Sequence, residues 1–226
     1  MKPILFNTEM VRAILDGRKT VTRRVVRRKE LDAVLSSPFR IKNPDIPDGR
    51  FINCLCTAPC ETGDILWVRE TWNGDWCDHY IYKADGGSAK AAGYAAEPKW
   101  HPSIYMPKEA ARIFLQVKEV RVERLLTPFF SDGATVLALR QEGMALPREC
   151  VECIGNYGTP ACIDAGDDSE CGILDEIRGD FSDLWDSTIK PANLPLYGWE
   201  ANPWVWVIEF ERISKEEALG GGGDAN

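Results

Sequence analysis

The run Trp204-Val205-Trp206-Val207-Ile208-Glu209-Phe210-Glu211-Arg212-Ile213 constrains the fold more than any other stretch of this chain. Trp204, Trp206, Ile208 and Phe210 fall on one face of an extended backbone, a strong strand signal. A second run, Ile65-Leu66-Trp67-Val68-Arg69-Glu70-Thr71-Trp72, is apolar on both faces at its start. That pattern predicts a central strand, with Glu70 and Trp72 sharing a face at its end. From Ile113 to Leu125 the alternation is Ile113-Leu115-Val117 and then Val120-Val122, and a β-bulge at Lys118-Glu119 would explain the change of parity.

Helical spacing lies between these strands. In Glu9 to Asp16, Met10 pairs with Ile14 and Val11 with Leu15; Asn7 or Thr8 suits the N-cap and Gly17 the C′ position. Ser131-Asp132 caps a predicted helix through Ala134, Leu137, Ala138 and Gln141, ended by Gly143, so Glu142 falls in its last turn. A carboxylate there meets the negative end of the helix dipole, which is either a small tolerated cost or a sign of acid/base work. Glu30 to Leu35 reads as a helical extension, Ser36 to Gly49 as a proline-marked loop, and Phe181 to Trp185 as a short amphipathic helix. The expected organisation is one α+β domain over 1–213, with irregular insertions at about 73–100 and 145–180 and a disordered glycine-rich tail at 214–226.

With 226 residues, 44% of them hydrophobic, and no apolar run of membrane-spanning length, a soluble globular protein with no membrane partner is expected. The apolar stretch within Met1 to Asn7 is too short for a secretory signal, which points to the cytoplasm. A net charge of -8 argues against a general nucleic-acid coat. Yet Arg12, Arg18, Lys19, Arg23, Arg24, Arg27, Arg28 and Lys29 crowd one short stretch, and such a patch can hold a nucleotide or a short strand.

The centre of that patch is Gly17-Arg18-Lys19-Thr20-Val21-Thr22-Arg23-Arg24. Cationic side chains beside short hydroxyls suit a phosphate or an anionic transition state; the plainer alternative is a solvated basic turn. On an ideal strand Lys19 and Thr22 would point to opposite faces, so they serve one site only if the helix exit is irregular, which a glycine permits.

Taken together, Gly17-Arg18-Lys19-Thr20-Val21-Thr22-Arg23, the segment from Gly63 through Trp72, Gln141-Glu142-Gly143-Met144 and the Trp204 to Phe210 strand resemble the ASCH domain family, and more closely its phage and prophage branch. The resemblance spans Lys2 to Ile213 without the cysteine-rich insertion. It implies a PUA-like fold, a bent β-barrel with flanking helices and a cleft for nucleic acid or a modified base, in a bacterial host cell. Small members of the family hydrolyse N4-acetylcytidine with a lysine, a threonine and a glutamate, which correspond here to Lys19, Thr22 and Glu142. Other members are ribonucleases or RNA-associated regulators, so an amidohydrolase, a nonenzymatic reader of single-stranded RNA or modified DNA, and a ribonuclease all remain open.

Such a hydrolysis needs a nucleophile, a proton donor for the leaving amine and positive charge near the oxyanion. Arg23, Arg24, Trp67, Glu70 and Trp72 are the candidate substrate contacts: a carboxylate accepts from a cytosine amino group and an indole stacks on a base. Trp72 as core and Glu70 as a partner of Arg69 or Arg23 are the plain alternatives. No cofactor is expected for catalysis. Of the eight cysteines, Cys150, Cys153, Cys162 and Cys171 form C-x2-C-x8-C-x8-C in a polar segment that a structural zinc would order. Cys54, Cys56, Cys60 and Cys77 read as free thiols, and His79 and His101 as ordinary turn or surface histidines.

Overall fold

The structure, a computed structural model, describes residues 1–74, 80–86, 99–129, 132–146 and 172–220, with backbone alone at 132–133 and 172–174. In chain order come β1 (Lys2–Leu5), α1 (Thr8–Leu15), β2 (Val21–Val25), α2 (Arg28–Leu35), α3 (Pro38–Lys42) and α4 (Asp48–Leu55). They are followed by β3 (Ile65–Arg69), β4 (Trp72–Gly74), β5 (Tyr80–Tyr82) and the long β6 (Phe114–Arg124). The remaining elements are α5 (Asp132–Gln141), α6 (Gly172–Ser187), α7 (Leu194–Tyr197), β7 (Trp204–Ile213) and α8 (Lys215–Ala218). The fold is therefore α+β, as the alternation of periods predicts.

Five strands form one mixed sheet in the order β1-β3-β6-β7-β2, and β4 pairs with β5 in a separate ribbon. β1 runs parallel to β3, with Ile4 opposite Val68, and β3 runs antiparallel to β6, with Leu66 opposite Leu115. β3 is thus paired on both edges, as its two-faced apolar start requires. The expected closed barrel is not formed. Closure would need the terminal strands to pair with the stagger a barrel demands, and β1 and β2 remain the two ends of the sheet order.

Contacts divide the chain into two compact units. The first comprises Met1–Thr20, Cys60–Glu119 and Glu209–Asn226, and the second Val21–Pro59 and Val120–Ile208. β6 is continuous through Lys118 and Glu119, where the sequence changes parity, and the chain passes there from the first unit to the second.

In the first unit, Trp67, Met106, Ala110, Ala111, Phe114 and Ala218 form a core, with Trp72, Tyr80 and Tyr82 against it. Ala218 is held there by α8. The Ser214 hydroxyl accepts from the Glu217 N–H at 3.1 Å, and the Glu217 carboxylate accepts from the Ser214 N–H at 2.8 Å. This capping box orders the start of a segment expected to be disordered, because it satisfies two helix-end donors while Ala218 is buried.

The second unit buries both faces of the start of β7. Trp206 joins Val26, Val34, Phe51 and Ile52, whereas Val205 and Val207 join Val21, Leu125 and Trp185. The tryptophan stripe is thus only half of the strand's burial, and the valines between supply the rest. Half of the loop expected at 36–49 is helical. Pro38 opens α3, where the Ser37 hydroxyl accepts from the Arg40 N–H at 3.2 Å, and Pro47 is the N-cap of α4. Proline is tolerated where a helix starts, since its missing N–H would be unpaired there anyway. The predicted short helix at Phe181 to Trp185 is the C-terminal part of the longer α6.

Candidate functional site

Two helix ends position the residues singled out by sequence, and both use the same device. At the end of α1, Gly17 has φ +72°, its N–H bonds the Ile14 carbonyl at 3.1 Å and the Arg18 N–H bonds the Ala13 carbonyl at 2.9 Å. This is a Schellman close, with Asp16 as C-cap. The Lys19 N–H returns to the same Ala13 carbonyl at 3.0 Å, so the chain turns sharply before Lys19. Lys19 is 2% exposed, with Nζ 5.9 Å from the centre of the Phe6 ring. A Cβ on Gly17 would meet nothing within 4 Å, so Gly17→Ala should cost only the left-handed backbone strain. Chemical denaturation should read that as about 1 kcal/mol of lost stability.

In the second unit α5 closes the same way. Gly143 has φ +89°, its N–H bonds Arg140 at 2.9 Å, and the Met144 N–H bonds Leu139 at 3.0 Å. Glu142 is the C-cap of this motif and is 5% exposed. Its carboxylate Oε1 accepts from Nη1 of Arg23 at 2.5 Å, and Nη2 of Arg23 donates to Glu123 on β6 at 3.2 Å. Thr22 is 2% exposed and Arg23 5% exposed, both on β2. The Arg23 guanidinium also lies 5.9 Å from the centre of the Phe129 ring. Phe129, Val136, Ala138, Leu139, Ile177 and Phe181 pack together and fix the end of α5 that carries Glu142.

Arg23 and four more of the eight clustered basic residues form ion pairs with carboxylates. Arg12 pairs with Glu9, Arg18 with Asp16, Arg27 with Glu30 and Arg28 with Asp32. Arg24 donates to the Arg23 carbonyl at 3.2 Å. These four acidic partners are local in sequence, whereas Glu123 and Glu142, the partners of Arg23, are not.

The three candidates from the end of the central strand belong to the first unit and divide in role. Trp67 is 8% exposed and lies in the core. β3 ends at Arg69, and Trp72 begins β4, where its ring lies 5.1 Å from that of His101 and 5.9 Å from that of Tyr80. Glu70 is 1% exposed and is gripped by Arg112, with Nε on Oε1 at 2.9 Å and Nη2 on Oε2 at 3.0 Å. Its partner is therefore neither Arg69, which donates to the Met106 carbonyl, nor Arg23. Burial pushes the Glu70 carboxyl above its ordinary range, although the Arg112 hydrogen bonds and charge pull it down.

Arg112 also pairs with Asp85 at 2.8 Å and stacks 3.8 Å from the Tyr82 ring centre. Burial opposes its charge, but the bonds from Glu70 and Asp85 more than offset this and raise its pKa. Burial likewise pushes the Tyr82 phenol up to about 12, and its hydroxyl donates to the Ala110 carbonyl at 2.6 Å. A cavity of about 400 Å³ beside this knot is lined by Tyr80, Tyr82, Glu109, Ala111, Arg112 and Lys215. Because Arg112 spends its donors on two carboxylates, it has little left to offer an anionic ligand, and the cluster works as a clamp.

Sequence reading missed Arg112 and Glu123. Neither carries a local signal, since Arg112 meets Glu70 across 42 positions and Glu123 meets Arg23 across 100. The four cysteines expected to hold zinc, and Cys77 and His79, lie outside the described residues. Among the described residues no cluster of three or more histidine, cysteine or acidic side chains is arranged to hold a metal ion. Cys54 is exposed, Cys56 and Cys60 are buried, and burial pushes the Cys56 thiol up. No helix among the described residues is long and apolar enough to cross a membrane. The chain matches no family model, no curated protein and no solved structure.

Proposed function

We propose that this chain is an ASCH-type, PUA-like amidohydrolase that removes the acyl group from an N4-acylated cytidine-type nucleoside, with Lys19, Thr22 and Glu142 as the acting groups. The observation that carries this reading is burial. The buried polar or charged residues among those described are Lys19, Thr22, Arg23, Glu70, Thr135 and Glu142, and they include all three motif residues. Taking an ammonium and a carboxylate out of water is costly unless they are paired.

The roles follow from the chemistry of amide hydrolysis. Thr22, or a water held by it, attacks the acyl carbonyl. Lys19 stabilises the oxyanion or accepts the proton of the nucleophile. Glu142 passes a proton to the exocyclic nitrogen as the C–N bond breaks.

The test presents N4-acetylcytidine and an unmodified single-stranded RNA oligonucleotide to the protein in separate reactions. Cytidine and acetate should form in equal amounts from the nucleoside while the oligonucleotide stays intact. RNA fragments without nucleoside turnover would replace this reading with a ribonuclease. Salt-dependent oligonucleotide binding without any product would replace it with a nucleic-acid reader.

A further inference from the structure

The Arg23 side chain is 3% exposed, too enclosed to serve as a freely accessible phosphate contact. Its two outer nitrogens are committed to different carboxylates, Nη1 to Glu142 at 2.5 Å and Nη2 to Glu123 at 3.2 Å. Nε is buried and has no hydrogen-bond partner among the described residues. Leaving a buried N–H unsatisfied is costly. The guanidinium thus forgoes a partner for one donor while reaching both acids with the other two.

We propose that Arg23 is a positioning residue whose guanidinium, braced by Glu123, holds Glu142 as an ionised carboxylate in one orientation. Glu123 is itself approached by Arg121, with Nε at 3.6 Å, and the Arg121 side chain is 36% exposed. Charges therefore alternate from buried Glu142 through Arg23 and Glu123 to Arg121 at the surface. The brace matters because a planar guanidinium held at both outer nitrogens cannot turn about its Nε–Cζ bond without breaking an ion pair. Glu142 is fixed from its other side by the Schellman close of α5.

This deepens the proposed function and rests on it for its chemical consequence. A carboxylate that starts ionised begins the reaction as a base. It takes the proton lost by the attacking hydroxyl or water and returns that proton to N4 as the C–N bond breaks. The exocyclic nitrogen leaves as the amino group of cytidine, and the acyl group leaves as the carboxylic acid once water has supplied its oxygen.

The other charged groups on these elements are Arg24 on β2, Lys118, Glu119, Arg121 and Arg124 on β6, Asp132 and Arg140 on α5, and Asp175, Glu176, Arg178, Asp180, Asp183 and Asp186 on α6. None of them changes in the variants used, so a shift in Glu142 reports Arg23. Two NMR readouts on the full chain test the proposal, with Glu142→Gln used to assign the carboxyl signal. In the unmutated protein the Nη1 and Nη2 signals of Arg23 should be separately resolved, and Glu123→Gln should merge them. Arg23→Met should move the Glu142 carboxyl titration upward by about one to three pH units, and Arg23→Lys should retain most of the original midpoint.

Averaged Nη signals in the unmutated protein, signals still resolved in Glu123→Gln, or an unmoved Glu142 midpoint in Arg23→Met would each overturn it. If Arg23→Met does not fold, the guanidinium signals carry the test alone. Turnover enters neither readout. A failure here is therefore distinguishable from a failure of the hydrolase reading.

Discussion

Arg112→Met should destabilise the protein by about 3–5 kcal/mol, the usual cost of stripping one partner from a buried ion pair. The lower part of that range is expected, since the Arg112 side chain is 28% exposed while that of Glu70 is 1% exposed. The loss comes from Glu70, left charged and enclosed with its bidentate donors gone, and from the Tyr82 face that the guanidinium covers. Urea denaturation measures it. The double variant Arg112→Met with Glu70→Leu should recover most of the loss, because removing both charges also removes the desolvation cost. Asp85, 49% exposed at its side chain, loses its partner with little penalty. A single variant that costs less than about 1 kcal/mol would show the clamp to be energetically idle.

The sign of the pH dependence follows from Glu70. Burial raises its folded-state pKa above the ordinary value. A raised acid favours the folded state most when protonated, and that contribution is lost as pH rises through the folded-state pKa. Arg112 moderates the effect by favouring the ionised form. Without it the Glu70 pKa rises further, so the deficit of Arg112→Met should be largest at neutral pH and shrink as pH falls through the raised folded-state pKa of Glu70. A deficit that grows on acidification would contradict this account.

The second large effect concerns catalysis. Glu142→Gln should lower kcat for N4-acetylcytidine by about 10²–10⁴-fold, the range typical of a positioned proton-transfer group. Binding should change little, because glutamine keeps the shape and an oxygen acceptor for Nη1 of Arg23 while losing the capacity to carry a proton. Steady-state kinetics separates the two, with kcat falling and KM holding. Full activity in Glu142→Gln would reduce Glu142 to a structural partner of Arg23.

How much of this was visible in the chain can be traced residue by residue. Asn7, Gly17 and Gly143 were legible because capping is local: Asn7 accepts from the Met10 N–H at 2.8 Å, and both glycines take the positive φ their positions demand. β7 was legible from its period, but the burial of Val205 and Val207 on its second face was not, because a valine between tryptophans reads equally well as a filler. Pro38 and Pro47 misled, since proline marks a helix start as readily as a loop.

Burial of the motif residues Lys19, Thr22 and Glu142 does not follow from the motif, which fits a solvated turn just as well. The partners of Glu70 and Arg23 were illegible for a different reason. Ion pairs closed over 42 and 119 positions depend on which strands and helices become neighbours, and no local pattern records that.

The proposed chemistry is hydrolysis of the amide of an N4-acylated cytidine by a buried lysine, threonine and glutamate. Its most direct test is the initial rate of cytidine release from N4-acetylcytidine by the unmutated chain and by Lys19→Ala at equal concentration. Steady release is expected from the first and loss of nearly all of it in the second. No release by the unmutated chain, or an undiminished rate in Lys19→Ala, would contradict it.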